Sequence, residues 1–167
     1  GMIDSHAHAG HGLTKTLGTG GIGMVGDWDD FMEAIYFRGT TVDFWKAEAC
    51  LSGLERLKFG VTTGMSMLGS YPRYDDLKYA QAHVEGMVDV GVRDILGIGP
   101  PNPPYPKRFL DWDGDTCGAE KILSHADAIA RTKEAVERFH GGNRGLTLCY
   151  PTPSGVGYRE GLTHEEL

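Results

Sequence analysis

Strand-like and helix-like stretches alternate along this 167-residue chain, and that rhythm limits the available folds more than any single residue does. Residues 2–8, 61–67, 93–98 and 146–150 read as short apolar strands. The stretch Val61-Thr62-Thr63-Gly64-Met65-Ser66-Met67 is rich in β-formers. Helical patterns lie between them. Over 42–59, Ala47, Cys50, Leu54 and Leu57 step at helical spacing, Thr40 with Asp43 offers a capping-box-like start, and Gly60 a stop. Over 75–90, Leu77, Ala80, Val84 and Met87 share a face, with Gly91 as the stop. Over 125–140 the face is Ile129, Thr132, Val136 and Phe139, with Ser124 and Asp127 capping the start and Gly141-Gly142 ending it. Long loops are expected at 10–40 and from the proline-rich 100–106 to the acidic turn 111–115.

Strands alternating with helices predict a parallel sheet with crossover helices. The strands are apolar throughout, as they are when both faces of a sheet are covered. Two α/β architectures accommodate the pattern: an open doubly wound sheet, or part of a (β/α)8 barrel. A whole barrel takes about 250 residues. The chain therefore matches a partial TIM-like barrel of parallel β/α repeats, about strands 1–4. Thr163 and Glu166 spell a capping box with almost no chain left to cap, and the first strand opens in mid-motif. Both ends read as cuts within a longer chain.

The bulk composition excludes several function classes. With 40% hydrophobic and 23% charged residues the chain is an ordinary globular protein. Its net charge of −7, without a basic run, argues against nucleic acid and anionic membranes as partners. No apolar stretch is long enough to span a bilayer. Cys50, Cys117 and Cys149 form no CxxC pair, so a thiolate zinc site is disfavoured. A reducing, cytoplasmic setting is the expectation, since no basic leader precedes the first strand.

The residues that point to chemistry are His6 and His8. In a strand, positions i and i+2 share a face, so both imidazoles can converge on one point. Imidazole is a common ligand for zinc and other divalent transition metals. The pair ends the first strand of a β/α repeat, where barrels build their active sites. Asp4, counted onto the same face, is either an acceptor fixing a histidine tautomer or a strand-end hydrogen-bonding group. His11 reads as an exposed loop histidine. Other patterns are weaker. Gly18, Gly20 and Gly23 have dinucleotide-fingerprint spacing with Asp43 following, but no helix opens at Gly23, so a flexible loop is the expectation. Asp111, Asp113 and Asp115 resemble a calcium loop, yet Thr116 and Ile122 stand where Gly and Glu are required. Pro100, Pro103 and Pro106 make a stiff loop. Ser66 lacks the G-x-S-x-G frame of a nucleophile. His83, His125, His140 and His164 read as packing or solvated residues.

Gly1-Met2-Ile3-Asp4-Ser5-His6-Ala7-His8 resembles the first-strand motif of the amidohydrolase superfamily. Downstream come Phe31-Met32-Glu33, a helix with Trp45, Glu48 and Ala49, and then Phe59-Gly60-Val61-Thr62-Thr63. This order is similar to the cytosine deaminase, guanine deaminase and triazine hydrolase branch. The resemblance extends over residues 1–70. It implies a distorted (β/α)8 barrel with one or two divalent metals at the strand C-termini, and gives the metal-ligand role to His6 and His8. Two further histidines and an aspartate are implied on later strands, outside this chain, together with a flanking β-sandwich. Residues 1–167 would thus be the N-terminal half of the catalytic barrel, inactive alone.

Some members of the family bridge two metals with a modified lysine on the fourth strand. Leu146-Thr147-Leu148-Cys149-Tyr150 has no lysine, which favours a single metal over the two-metal cyclic amidase or dipeptidase type. The implied cofactor is Zn, with Fe or Mn left open. The implied reaction is hydrolysis or deamination of a C–N bond in a heterocycle or amide by a metal-activated water. A non-catalytic β/α fragment is the competing account. Met67, Asn102 and Tyr150, at strand ends, are the candidate substrate contacts, and Trp28 and Phe31 in the loop 10–40 could exclude water. The expected partners are a small-molecule substrate and the remainder of the barrel. A homo-oligomer is left open.

Overall fold

The computed structural model describes residues 1–15, 35–36, 40–68, 76–101, 103–113 and 116–153. Strand β1 (Met2–His8) is followed by helix α1 (Val42–Lys58), β2 (Val61–Met67), α2 (Leu77–Val90) and β3 (Arg93–Ile98). Then come β4 (Lys107–Asp113), β5 (Thr116–Leu123), α3 (His125–Phe139) and β6 (Thr147–Pro151). Strands β1, β2, β3 and β6 form one parallel sheet in that order. The order decides between the two architectures. A doubly wound sheet reverses its strand order at a switch point, whereas a barrel adds each parallel strand beside the last. Here the order never reverses, so the chain has the fold of a partial barrel. Among the described residues no helix is long and apolar enough to cross a membrane.

All three helices cover one face of the sheet. Trp45 of α1, Ala80 and Val84 of α2, and Ala135 and Phe139 of α3 share a single buried cluster with Leu96, Ile98 and Cys149 of the strands. The capping chemistry at 124–127 is as expected: Ser124 Oγ accepts from the Asp127 amide, and the Asp127 carboxylate accepts from the Ser124 amide. Gly91 ends α2 at φ 84°, a left-handed conformation that only glycine adopts without strain.

Three expectations need correction. The cap of α1 is Thr41, whose Oγ1 accepts from Phe44 N, not Thr40. Thr40 instead accepts from the Trp45 indole and donates to Tyr36 O. The buried stripe of α1 is Trp45, Glu48, Ala49, Gly53 and Arg56, while Leu54 and Leu57 are exposed. The apolar periodicity misled because two charged residues find polar partners inside. On α3, likewise, Ile129 is exposed and Ala128 and Ala135 are buried.

The stretch read as one loop contains the antiparallel hairpin β4–β5. Asp113 pairs with Thr116, and the sequence between them opens with Gly114. The two positions between the paired residues, Gly114 and Asp115, lie outside the described residues; as a sequence, Gly-Asp is a hairpin signal that the acidic run disguised. Leu123 and Ala128 form a small separate cluster with Tyr105 and Phe109 at the hairpin's base. Asp111 and Asp113 are therefore strand residues. The last strand begins at Thr147 because Asn143, Arg144 and Gly145 make a left-handed turn before it.

Candidate functional site

The imidazoles of His6 and His8 meet at the C-terminal end of β1, with their Nε2 atoms 3.1 Å apart. Two ring nitrogens this close are bridged either by one proton or by one cation. Zinc–imidazole bonds of about 2.0–2.1 Å put two tetrahedral ligands about 3.3 Å apart, and a right-angled pair about 2.9 Å apart. The observed separation lies between these, so the pair fits a shared divalent ion. Ligation needs neutral imidazole. Partial desolvation, reinforced by the neighbouring His11 and His6, lowers the pKa of His8 and favours that form. Among the described residues no group of three or more His, Cys, Asp or Glu is placed to hold a metal.

His11 is an exposed residue of the turn after β1, as expected, and it also makes ring contacts. Its ring stacks on His8 at 5.4 Å and on Tyr36 at 6.1 Å. Burial lowers its pKa, opposed by the Glu48 carboxylate. Glu48 is fully buried, and its Oε1 accepts from Gly12 N and Ser52 Oγ, tying the loop after β1 to α1. Gly10, at φ +90°, leaves room for the Tyr36 ring, which would lie 2.7 Å from a Cβ there.

Strand register shows which residues stand beside the histidines. His8 pairs with Met67, Met67 with Gly97, and Gly97 with Tyr150. Paired residues point to the same face, so His8, Met67 and Tyr150 lie in one row across the four strands. A Cβ on Gly97 would meet Met67 Sδ at 2.9 Å, Met65 Cε at 3.3 Å and Thr152 Cγ2 at 2.7 Å, which marks that same face. Thr152, which spacing did not single out, carries a buried Oγ1 without a hydrogen-bond partner among the described residues. Asn102, Trp28, Phe31, the glycines 18–23 and His164 lie outside the described residues.

Asp4 is not on the histidine face. It pairs with Gly64, whereas His8 pairs with Met67. Gly64 and Met67 are three apart on β2, hence on opposite faces. The register slips between Asp4 and Ala7, where three residues of β1 span two of β2. Such a bulge turns the following side chains over. Asp4 therefore faces the helices. Its Oδ2 accepts from Arg56 Nε at 3.2 Å and its Oδ1 from the His6 amide at 3.3 Å. Its contacts are with a guanidinium and a backbone N–H, so it takes the hydrogen-bonding role and fixes no imidazole tautomer.

Ser66 and His83 belong to the same helix-facing layer. Ser66 Oγ donates to Asp94 Oδ1 at 2.6 Å, and His83 Nε2 lies 3.1 Å from Asp94 Oδ2. A cleft of about 480 Å³ between β1, the loop after it and α1 reaches this layer, bordered by Asp4, His8, His11, Arg56 and His83. His125 opens α3 with its ring 4.9 Å from Tyr105, and His140 Nδ1 lies 2.9 Å from Cys149 O. Both are packing residues.

No family model matches this chain. No curated protein matches it. Among solved structures it is similar to the crystal structure of atrazine chlorohydrolase TrzN from Arthrobacter aurescens TC1 complexed with zinc, with a TM-score of 0.65 at 17% identity. The match covers 95% of this chain and 35% of that one, so the chain spans about a third of that enzyme's length. At this identity the likeness is one of fold: a run of parallel β/α units laid out as in part of that protein.

Proposed function

We propose that residues 1–167 are the metal-holding N-terminal part of an amidohydrolase-type barrel that hydrolyses or deaminates a C–N bond of a heterocycle or amide. The observation that carries this is the convergence of the two Nε2 atoms, 3.1 Å apart, at the C-terminal end of the first strand. The fold likeness to a zinc-complexed chlorohydrolase supports it. A divalent metal, zinc by preference, would supply the nucleophile by lowering the pKa of a bound water from 15.7 toward about 7.

The chain's own residues take the following parts. His6 and His8 bind the ion through Nε2. His11, stacked on His8, limits the tilt of that ring. Met67 and Tyr150, in the His8 row, form an apolar and aromatic floor on which a flat heterocycle could lie. Asn102 would add a hydrogen-bonding group beyond β3. The remaining ligands and the proton-transferring groups would come from further barrel strands. Met2, Ile3 and Phe59, exposed by 58%, 71% and 70% at and near the free edge of β1, favour further protein packing there. The strand Thr147–Pro151 carries no lysine to bridge a second ion, which favours one metal.

Equilibrium dialysis against zinc tests the proposal. One equivalent should bind per chain, and the double variant His6→Ala/His8→Ala should bind none while keeping its fold. Equal uptake by both proteins would overturn it and leave the non-catalytic β/α account standing.

A further inference from the structure

We propose that Arg56, lying across Gly64, is a positioning residue for the His6–His8 pair. The link begins at the bulge in β1. An extra residue between Asp4 and Ala7 takes backbone groups out of the ladder. The His6 amide is satisfied by Asp4 Oδ1 at 3.3 Å. Asp4 can serve it only while its own carboxylate is held, and Arg56 Nε holds Oδ2 at 3.2 Å.

Arg56 is itself fixed from three sides. Its Nη1 donates to Ser66 Oγ at 2.9 Å and to Asp94 Oδ1 at 3.4 Å, and its Nη2 donates to Met65 O at 2.7 Å. Asp94 is anchored in turn by Ser66 and by His83 of α2. A planar fork with fixed donors can bridge β1, β2 and β3 at once, which an ammonium on a flexible stem cannot.

Gly64 makes the arrangement possible. A Cβ there would sit 2.5 Å from both Cζ and Nε of Arg56. This glycine is needed for the guanidinium to lie flat against β2, since its backbone has no left-handed φ. Burying a charge costs several kcal/mol unless it is fully paired. An arginine in the buried stripe of α1 therefore calls for a role beyond filling space. The chain of contacts supplies one: Asp94 and Ser66 hold Arg56, Arg56 holds Asp4, and Asp4 holds the backbone of His6. Groups that hold a metal-binding residue in place from behind are worth about 10–100-fold in metal affinity.

The inference rests on His6 and His8 being metal ligands, and its test separates the two claims. Four proteins are compared: the full chain, Arg56→Met, Gly64→Ala, and Val84→Ala as an apolar core variant on α2. Two quantities are read beside the unfolding midpoint. One is the zinc dissociation constant by chelator competition. The other is the exchange rate of the His6 amide in metal-free protein, relative to the Thr132 amide in α3. Arg56→Met and Gly64→Ala should weaken zinc binding at least tenfold and speed relative His6 exchange at least tenfold. Val84→Ala, at a comparable loss of stability, should change neither by more than about twofold. If Arg56→Met behaves like Val84→Ala in both, Arg56 is a packing residue and the inference fails. If Arg56→Met does not fold, Ser66→Ala, which removes one anchor of the guanidinium, takes its place with the same expectation. If the full chain binds no zinc, the metal reading fails, and His6 exchange alone decides on Arg56: faster in Arg56→Met supports the positioning role, unchanged refutes it.

Discussion

On the side of the sheet that meets the helices, Ser66, Asp94, Leu96, Ile98 and Cys149 are at most 2% exposed. On the other side, Met65, Met67, Ile95 and Leu148 are only partly buried, Tyr150 is 46% exposed, and His6 and His8 are exposed. The same four strands thus carry one finished face and one unfinished face. The finished face is where stability resides, and it holds a buried ionic network as well as apolar packing. The unfinished face holds the imidazole pair and the row through Met67 and Tyr150. Fold and proposed chemistry thus lie on opposite faces, joined where Arg56 holds Asp4 and Asp4 accepts from the His6 amide.

The largest effect is expected at Asp94. Asp94→Ala leaves Arg56 and His83 buried without their shared acceptor, and should cost about 4 kcal/mol in urea unfolding. Leu96→Ala, on the same face, should cost about 3 kcal/mol by cavity formation. Met65→Ala, one position out of phase and facing the open side, should cost under about 1 kcal/mol. If Met65→Ala costs as much as Leu96→Ala, the two faces are equally packed and the contrast is broken. Ser124→Ala removes the cap of α3 and should cost about 1 kcal/mol.

Thiol chemistry sharpens the contrast further. Burial pushes Cys149 up to about 12, with the Asp94 carboxylate adding to it, whereas Cys117 on the hairpin is exposed. An alkylating reagent at pH 8 should label Cys117 and spare Cys149 until the protein unfolds. In the unfolded chain Cys149 ionises near the ordinary thiol value of 9.0. Above that pH the unfolded state gives up its proton first, so stability from this group falls between about pH 9 and 12. Cys149→Ser should flatten that part of the stability profile.

Much of this was legible in the sequence, for physical reasons that also explain what was not. The parallel β/α order and the stripe Leu77, Ala80, Val84 and Met87 of α2 follow from apolar periodicity, because the buried side of that helix is mostly apolar, His83 being the polar exception. The stripe of α1 does not, because Glu48 and Arg56 occupy core positions through partners far away in sequence. His6 and His8 share a face as the two-residue period predicts. Asp4 does not join them, because a bulge is a property of two strands in register and one strand's sequence does not contain it. The hairpin at 107–123 was hidden by charge: the Gly-Asp pair at 114–115 sits inside an acidic run that reads as a solvated loop.

The central claim is that the open face holds one divalent ion between His6 and His8. Anomalous diffraction at the zinc edge, on crystals grown with one equivalent of zinc, tests it most directly. The account predicts a single strong peak within about 2.1 Å of both Nε2 atoms. Zinc found elsewhere, with the two rings turned apart or bonded to each other through a proton, would contradict it.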